Sequence, residues 1–142
     1  MRARSLLVLA PLAVTAGCAT STSPRGLLRV DLPEPGPGSP AELQLVRAVR
    51  DAADAEGLSC QPETGTALLR CSAATLGNRG RAITIGLERS GTGYEVSIDQ
   101  AFNLSGGPSP VCEVQRRVGD RIDVELEVPL TRVDGRSDCK PR

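Results

Sequence analysis

Histidine is absent from this chain of 142 residues, and with it go the commonest general base and the commonest metal ligand. Ser-His-Asp and Cys-His catalytic arrangements are thereby excluded. Tryptophan is missing too, and the aromatic side chains are Tyr94 and Phe102 alone. A core must then be assembled from Val, Leu, Ile and Ala. Each of these buries less area than an aromatic ring, so the stability margin of a domain of about 100 residues is thin. Neither sign of charge is in excess, since 17 basic side chains face 17 acidic ones. Nucleic acid demands a concentrated basic surface, and that class of partner is set aside. There is no internal repeat.

What is present begins with an export signal. Met1-Arg2-Ala3-Arg4 supplies two positive charges, an apolar run follows from Leu6 to Ala16, and small residues precede Cys18. That is the charged, apolar, small-residue order of a secretory signal. The run is 11 residues and carries Pro11, whereas a helix needs roughly 20 apolar residues to cross a bilayer. Val14-Thr15-Ala16-Gly17-Cys18 resembles the lipobox of bacterial lipoproteins, with Thr15 standing where an aliphatic residue is usual. The resemblance covers about the first 20 residues. It implies cleavage before Cys18, acylation of that cysteine and a membrane partner through the lipid. Ala19 is not the Asp that often marks inner-membrane retention in such proteins. The expected address is the cell envelope, and in a Gram-negative cell the outer membrane facing the periplasm.

Removal of residues 1–17 leaves 125 residues with 15 basic and 17 acidic side chains, a formal charge of −2. Four cysteines remain besides Cys18: Cys60, Cys71, Cys112 and Cys139. An even number in an exported chain reads as two disulfides. Of the three pairings, Cys60–Cys71 and Cys112–Cys139 are favoured. The first ties adjacent strands across the turn at Pro62-Glu63-Thr64-Gly65, and the second pins the tail to the body. Zinc fails on spacing, because no two of these cysteines lie two to four residues apart.

Periodicity predicts the elements. Residues 18–40 read as a Pro/Gly/Ser-rich tether in which 27–32, with Leu28, Val30 and Leu32 alternating, is a strand candidate that belongs either to the domain or to the tether. Pro33, Pro35, Pro37 and Pro40 then forbid helix and ladder alike. Ser39-Pro40-Ala41-Glu42 starts a helix with a capping box, an apolar side of Leu43, Leu45, Val46, Val49, Ala52 and Ala53, and Gly57 as its stop. Strands are expected at 58–61, 67–73, 82–88 and 94–99, with a hairpin at Ser90-Gly91-Thr92-Gly93. A second helix is expected over about 110–121, supported by Glu113–Arg117 and Arg116–Asp120 spacing. Residues 122–128 fit helix and strand equally, and 129–133 is a terminal strand or an extended tail. The expectation is a single α+β domain over 41–142: a small antiparallel sheet of three to five strands with both helices on one face.

Chemistry is harder to find, and no catalytic, cofactor or metal set is expected. Asp99 at a strand end, with Gln100 and Asn103 near it, is a carboxylate candidate whose plain alternative is a polar strand end facing water. Asp123, Glu125 and Glu127 form a row for calcium only if 122–128 is a strand, and a solvated face is the competing reading. Gly77-Asn78-Arg79-Gly80-Arg81 is a turn with two arginines that can hold an anion, and two solubilising surface arginines are the competing reading. Ser137-Asp138-Cys139-Lys140 matches Ser-x-x-Lys formally, without the companion motifs that give it meaning. The expected function is therefore a membrane-anchored, non-enzymatic accessory domain that binds another envelope protein. The alternatives are a carrier of a small apolar or lipidic ligand between helices and sheet, and a glycan-acting enzyme built on carboxylates.

Overall fold

The computed structural model describes residues 25–73, 81–103, 109–126, 131–134 and 139, backbone alone for some strand ends. In chain order the elements are β1 (Arg25–Asp31), α1 (Pro40–Ala55), β2 (Ser59–Pro62), β3 (Ala67–Ser72), β4 (Arg81–Ser90), β5 (Gly93–Asn103), α2 (Val111–Glu125) and β6 (Thr131–Asp134). The fold is α+β. Five strands in the order β2-β3-β4-β5-β1 form one antiparallel sheet, and the short β6 extends it outside β1.

Alternation decides which side of the sheet is covered. Leu28 and Val30, Leu69 and Cys71, Ile85 and Leu87, and Tyr94, Val96 and Ile98 all point to one face and are buried. Both helices lie on that face, α1 over β2, β3 and β4, and α2 over β1 and β5. The β4–β5 hairpin turns on two residues, Gly91 and Thr92, between the paired Ser90 and Gly93. Each disulfide joins the favoured partners. Cys60 and Cys71 are opposed on β2 and β3, and Cys112 in the first turn of α2 holds Cys139.

The expected tether is folded from residue 25 onward. β1 lies inside the sheet, in register with β5 (Leu28 opposite Val96) and with β6 (Val30 opposite Arg132). Two apolar side chains fully buried under α2, Leu28 and Val30, draw it there. The folded unit thus starts before the boundary expected at 41.

Helix α1 begins and ends as its residues dictate. Ser39 Oγ accepts from the Glu42 N–H at 3.1 Å, and Pro40 occupies the first turn. At its end Gly57 has φ 77°. Gly57 N–H donates to Asp54 O and Leu58 N–H to Ala53 O, both at 2.9 Å, the paired bonds of a Schellman stop. Its buried side is Leu45, Ala48, Val49, Ala52 and Ala53, while Leu43 is 57% exposed, contrary to expectation. Two residues span about 200° of a helix, so a side chain two places from Leu45 faces water.

Helix α2 resolves the ambiguous segment. It runs to Glu125, because Val111, Val114, Val118 and Ile122 recur on one buried side. The strand-like alternation of 122–126 carries no strand: Ile122 is buried and Val124 is 80% exposed. The condition for a calcium row is therefore unmet: Asp123 is an exposed helical residue and Glu125 pairs with Arg121 at 2.5 Å. Glu127 lies outside the described residues. The expected helical pairs Glu113–Arg117 and Arg116–Asp120 are both present at 3.7 Å.

Strand direction sorts the connections onto two ends. β1, β2, β4 and α2 start at one end, where β3, β5, β6 and α1 finish. At the opposite end lie the Pro-rich loop 32–39, the β2–β3 turn 63–66 and the hairpin tip 91–92.

Candidate functional site

The three connections at that second end are fastened by one buried carboxylate. Glu42, in the first turn of α1, is a buried charged side chain. Its Oε1 accepts from Arg89 Nη2 at 2.7 Å and from the Gly38 N–H at 3.0 Å. Its Oε2 accepts from Arg89 Nε and Tyr94 Oη, both at 2.8 Å. Tyr94 Oη in turn accepts from the Gly36 N–H at 3.3 Å. Arg89 reaches the remaining turn, where its Nη1 donates to Gly65 O at 3.2 Å and its backbone N–H to Thr66 O at 2.8 Å. Arg89 and Tyr94 are themselves opposed on β4 and β5, on either side of the hairpin tip.

The Pro-rich loop is shaped to meet this group. Ser39 N–H bonds to Gly36 O at 3.1 Å, with Pro37 and Gly38 between them and φ 73° at Gly38. Those are the residues and the backbone sign of a type II turn. The capping box expected of Glu42 is therefore half formed. The Ser39 N–H that its carboxylate was to satisfy is taken by the turn, and the carboxylate is turned toward Arg89 and Tyr94.

Electrostatics follow from the contacts. The hydrogen-bonded Arg89 guanidinium pulls the Glu42 carboxyl down to about 2 against the opposing effect of burial, helped by the Gly38 N–H and the Tyr94 hydroxyl. Burial raises the Tyr94 phenol, and the adjacent carboxylate raises it further. Glu42 also raises the Arg89 guanidinium. A carboxylate offers about four lone-pair positions, and four donors occupy them here. None is left for taking a proton from a substrate. The group is a fastening, and what it fastens is a surface of exposed loop residues: Glu34, Pro35, Pro37, Thr64 and Thr92.

The side of the sheet away from the helices is polar. Arg25 Nε meets Asp99 Oδ1 at 3.0 Å, and Arg70 Nε meets Glu63 Oε1 at 3.2 Å. A shallow depression of about 190 Å³ on this face is lined by Arg70, Gly86 and Ser97, which lie opposite one another on β3, β4 and β5. Asp99 sits on this face, whereas Gln100 points the other way and accepts from Ser109 Oγ at 2.6 Å. Neighbours on a strand face opposite sides, so the structure separates Gln100 from Asp99, with which the sequence groups it. Asn103 closes β5, and Arg81 opens β4. Glu88 and Glu95 are opposed by register, side by side on one face rather than across a groove. The space between helices and sheet, where a carried ligand would lie, holds Leu28, Val30, Leu45, Val49, Val96 and Ile98, all fully buried. A second depression, about 420 Å³, lies between the helices beside Glu56 and Arg117, which are paired through Arg117 Nη2 and Glu56 Oε2 at 3.0 Å. Among the described residues no helix is long and apolar enough to cross a membrane. Cys18, Gly77–Gly80, Ser137 and Lys140 lie outside the described residues.

Sequence reasoning missed Glu42, Arg89 and Tyr94 as a group. The signal was Arg89 itself, which follows Ile83, Ile85 and Leu87 at the next inward position of the alternation. No protein-family model and no curated protein matches the chain.

Proposed function

We propose that this protein is a lipoprotein of the cell envelope, acylated on Cys18, whose domain binds another envelope protein and performs no catalysis. The observation that carries the binding reading is the Glu42–Arg89–Tyr94 fastening. Burying an ion pair is an expensive way to stabilise a small domain, and an apolar substitute is often as stable or more so. Here it joins the 32–39 loop and the 63–66 turn beside the hairpin tip. Loops fixed before contact lose little conformational entropy on binding, which is the energetic advantage of a preorganised surface. The anchoring reading rests on the resemblance around Cys18.

A photo-crosslinking residue at Glu34 or Thr92 in intact cells tests the binding surface. Adducts with a specific envelope protein are expected from both positions, absent from Arg47 on the helix layer, and weakened by Tyr94→Phe. Equal adducts from Arg47 overturn the assignment of the loop end. Membrane fractionation of Cys18→Ser tests the anchor, the expected outcome being release into the soluble fraction.

A further inference from the structure

The position of β1 changes what an anchored Cys18 does to the domain. We infer that the end of the sheet where β1 starts is held against the phospholipid surface and that the fastened loop end faces away from it. This rests on the acylation reading above and adds to it an orientation.

Reach is set by covalent geometry. Seven residue steps separate Cys18 from Arg25, a span of at most about 25 Å however the chain is drawn out. Had the folded unit begun at residue 41, the same limit would be about 80 Å, and the domain could have stood far from the bilayer. The start of β1 is not the outermost point of its end. Arg25 is opposite Asp99, whereas Arg81 is opposite Asn103, four residues farther along β5. The ends of β4 and β5 thus project about 13 Å beyond the start of β1 on the side from which the tether leaves. Turning the domain over would require the tether to climb the full length of β1. Seven residues of strand are about 23 Å, nearly the whole contour available. The loop end with Glu34, Thr64 and Thr92 is therefore displayed outward, and a partner meets it there rather than at the lipid surface.

The test uses the mature, lipidated full-length chain, purified from cells and placed in phospholipid vesicles that carry a short-range nitroxide quencher on the headgroups. A bio-orthogonal fluorophore is placed at Ser72, on the same level of the sheet as Arg25, or at Thr92. Quenching severalfold stronger at Ser72 than at Thr92 is expected. Insertion of 20 Gly/Ser residues after Ser21 is expected to bring the two toward equality. Equal or reversed quenching with the native tether, in a chain whose mass shows lipid on Cys18, overturns the orientation alone, as does a difference that survives the insertion. A mature chain without lipid on Cys18 overturns the anchoring reading and this inference with it.

Discussion

At the scale of single residues, Glu42 governs both the loop end and the acid stability of the fold. Its carboxyl lies at about 2 in the folded chain against 4.5 ordinarily. A group lowered in this way contributes stability that is complete above the ordinary value and lost as pH falls through the folded one. That contribution is about 3 kcal/mol. The urea midpoint is therefore expected to fall between pH 5 and pH 2, and to fall much less in Glu42→Gln. At neutral pH, Glu42→Gln leaves Arg89, only 28% exposed, without its counter-charge, and a loss of about 3 kcal/mol is expected by urea unfolding. Tyr94→Phe removes one donor to Glu42 and one acceptor from Gly36 while keeping the ring, and about 1–2 kcal/mol is expected. This group was only half legible. Periodicity places Arg89 inward and Tyr94 beside it, but no local rule says that a first-turn glutamate 47 residues away will bend past its own cap to meet them.

At the scale of elements, local chemistry and the pattern of apolar residues agree almost everywhere. Ser39, Pro40 and Gly57 bound α1, and Gly91-Thr92 sets the β4–β5 register. Gly57→Ala forces a side chain into φ 77°, and a loss of about 1 kcal/mol is expected in thermal or urea unfolding. The misreadings have physical causes. Residues 122–126 carry two periods at once, and burial against the sheet chose the helical one because Ile122 completes the buried side of α2 begun at Val111. Leu43 is as apolar as its neighbours, yet the axis of the buried side, through Leu45 and Val49, excludes it. β1 was ambiguous because the prolines after it look like a linker, and only pairing with β5 reveals that the chain makes a compact turn there instead. The disulfides followed from spacing, since cysteines 11 apart around a turn signal suit opposed strands.

For the whole molecule, stability depends on cross-links and on β1. Each disulfide is expected to contribute about 2–4 kcal/mol, more for the pair that closes the longer loop. Removing Cys112–Cys139, separation 27, should therefore lower the Tm more than removing Cys60–Cys71, separation 11. A fragment that begins at residue 41 lacks the strand next to β5 and is expected to fail to fold, whereas one that begins at residue 25 gives a cooperative melt. Circular dichroism distinguishes these outcomes. The arrangement of β1 also bears on force. It is held by six register pairs to β5 and four to β6. If residue 25 is pulled toward a membrane while the opposite end is gripped by a partner, the load runs along β1, parallel to the strand and across its hydrogen bonds. In that shear geometry the bonds share the tension and must yield together, whereas a hairpin pulled open at its end surrenders them one at a time. A domain with so modest a core would resist such a pull in proportion to the length of one strand rather than the size of its interior.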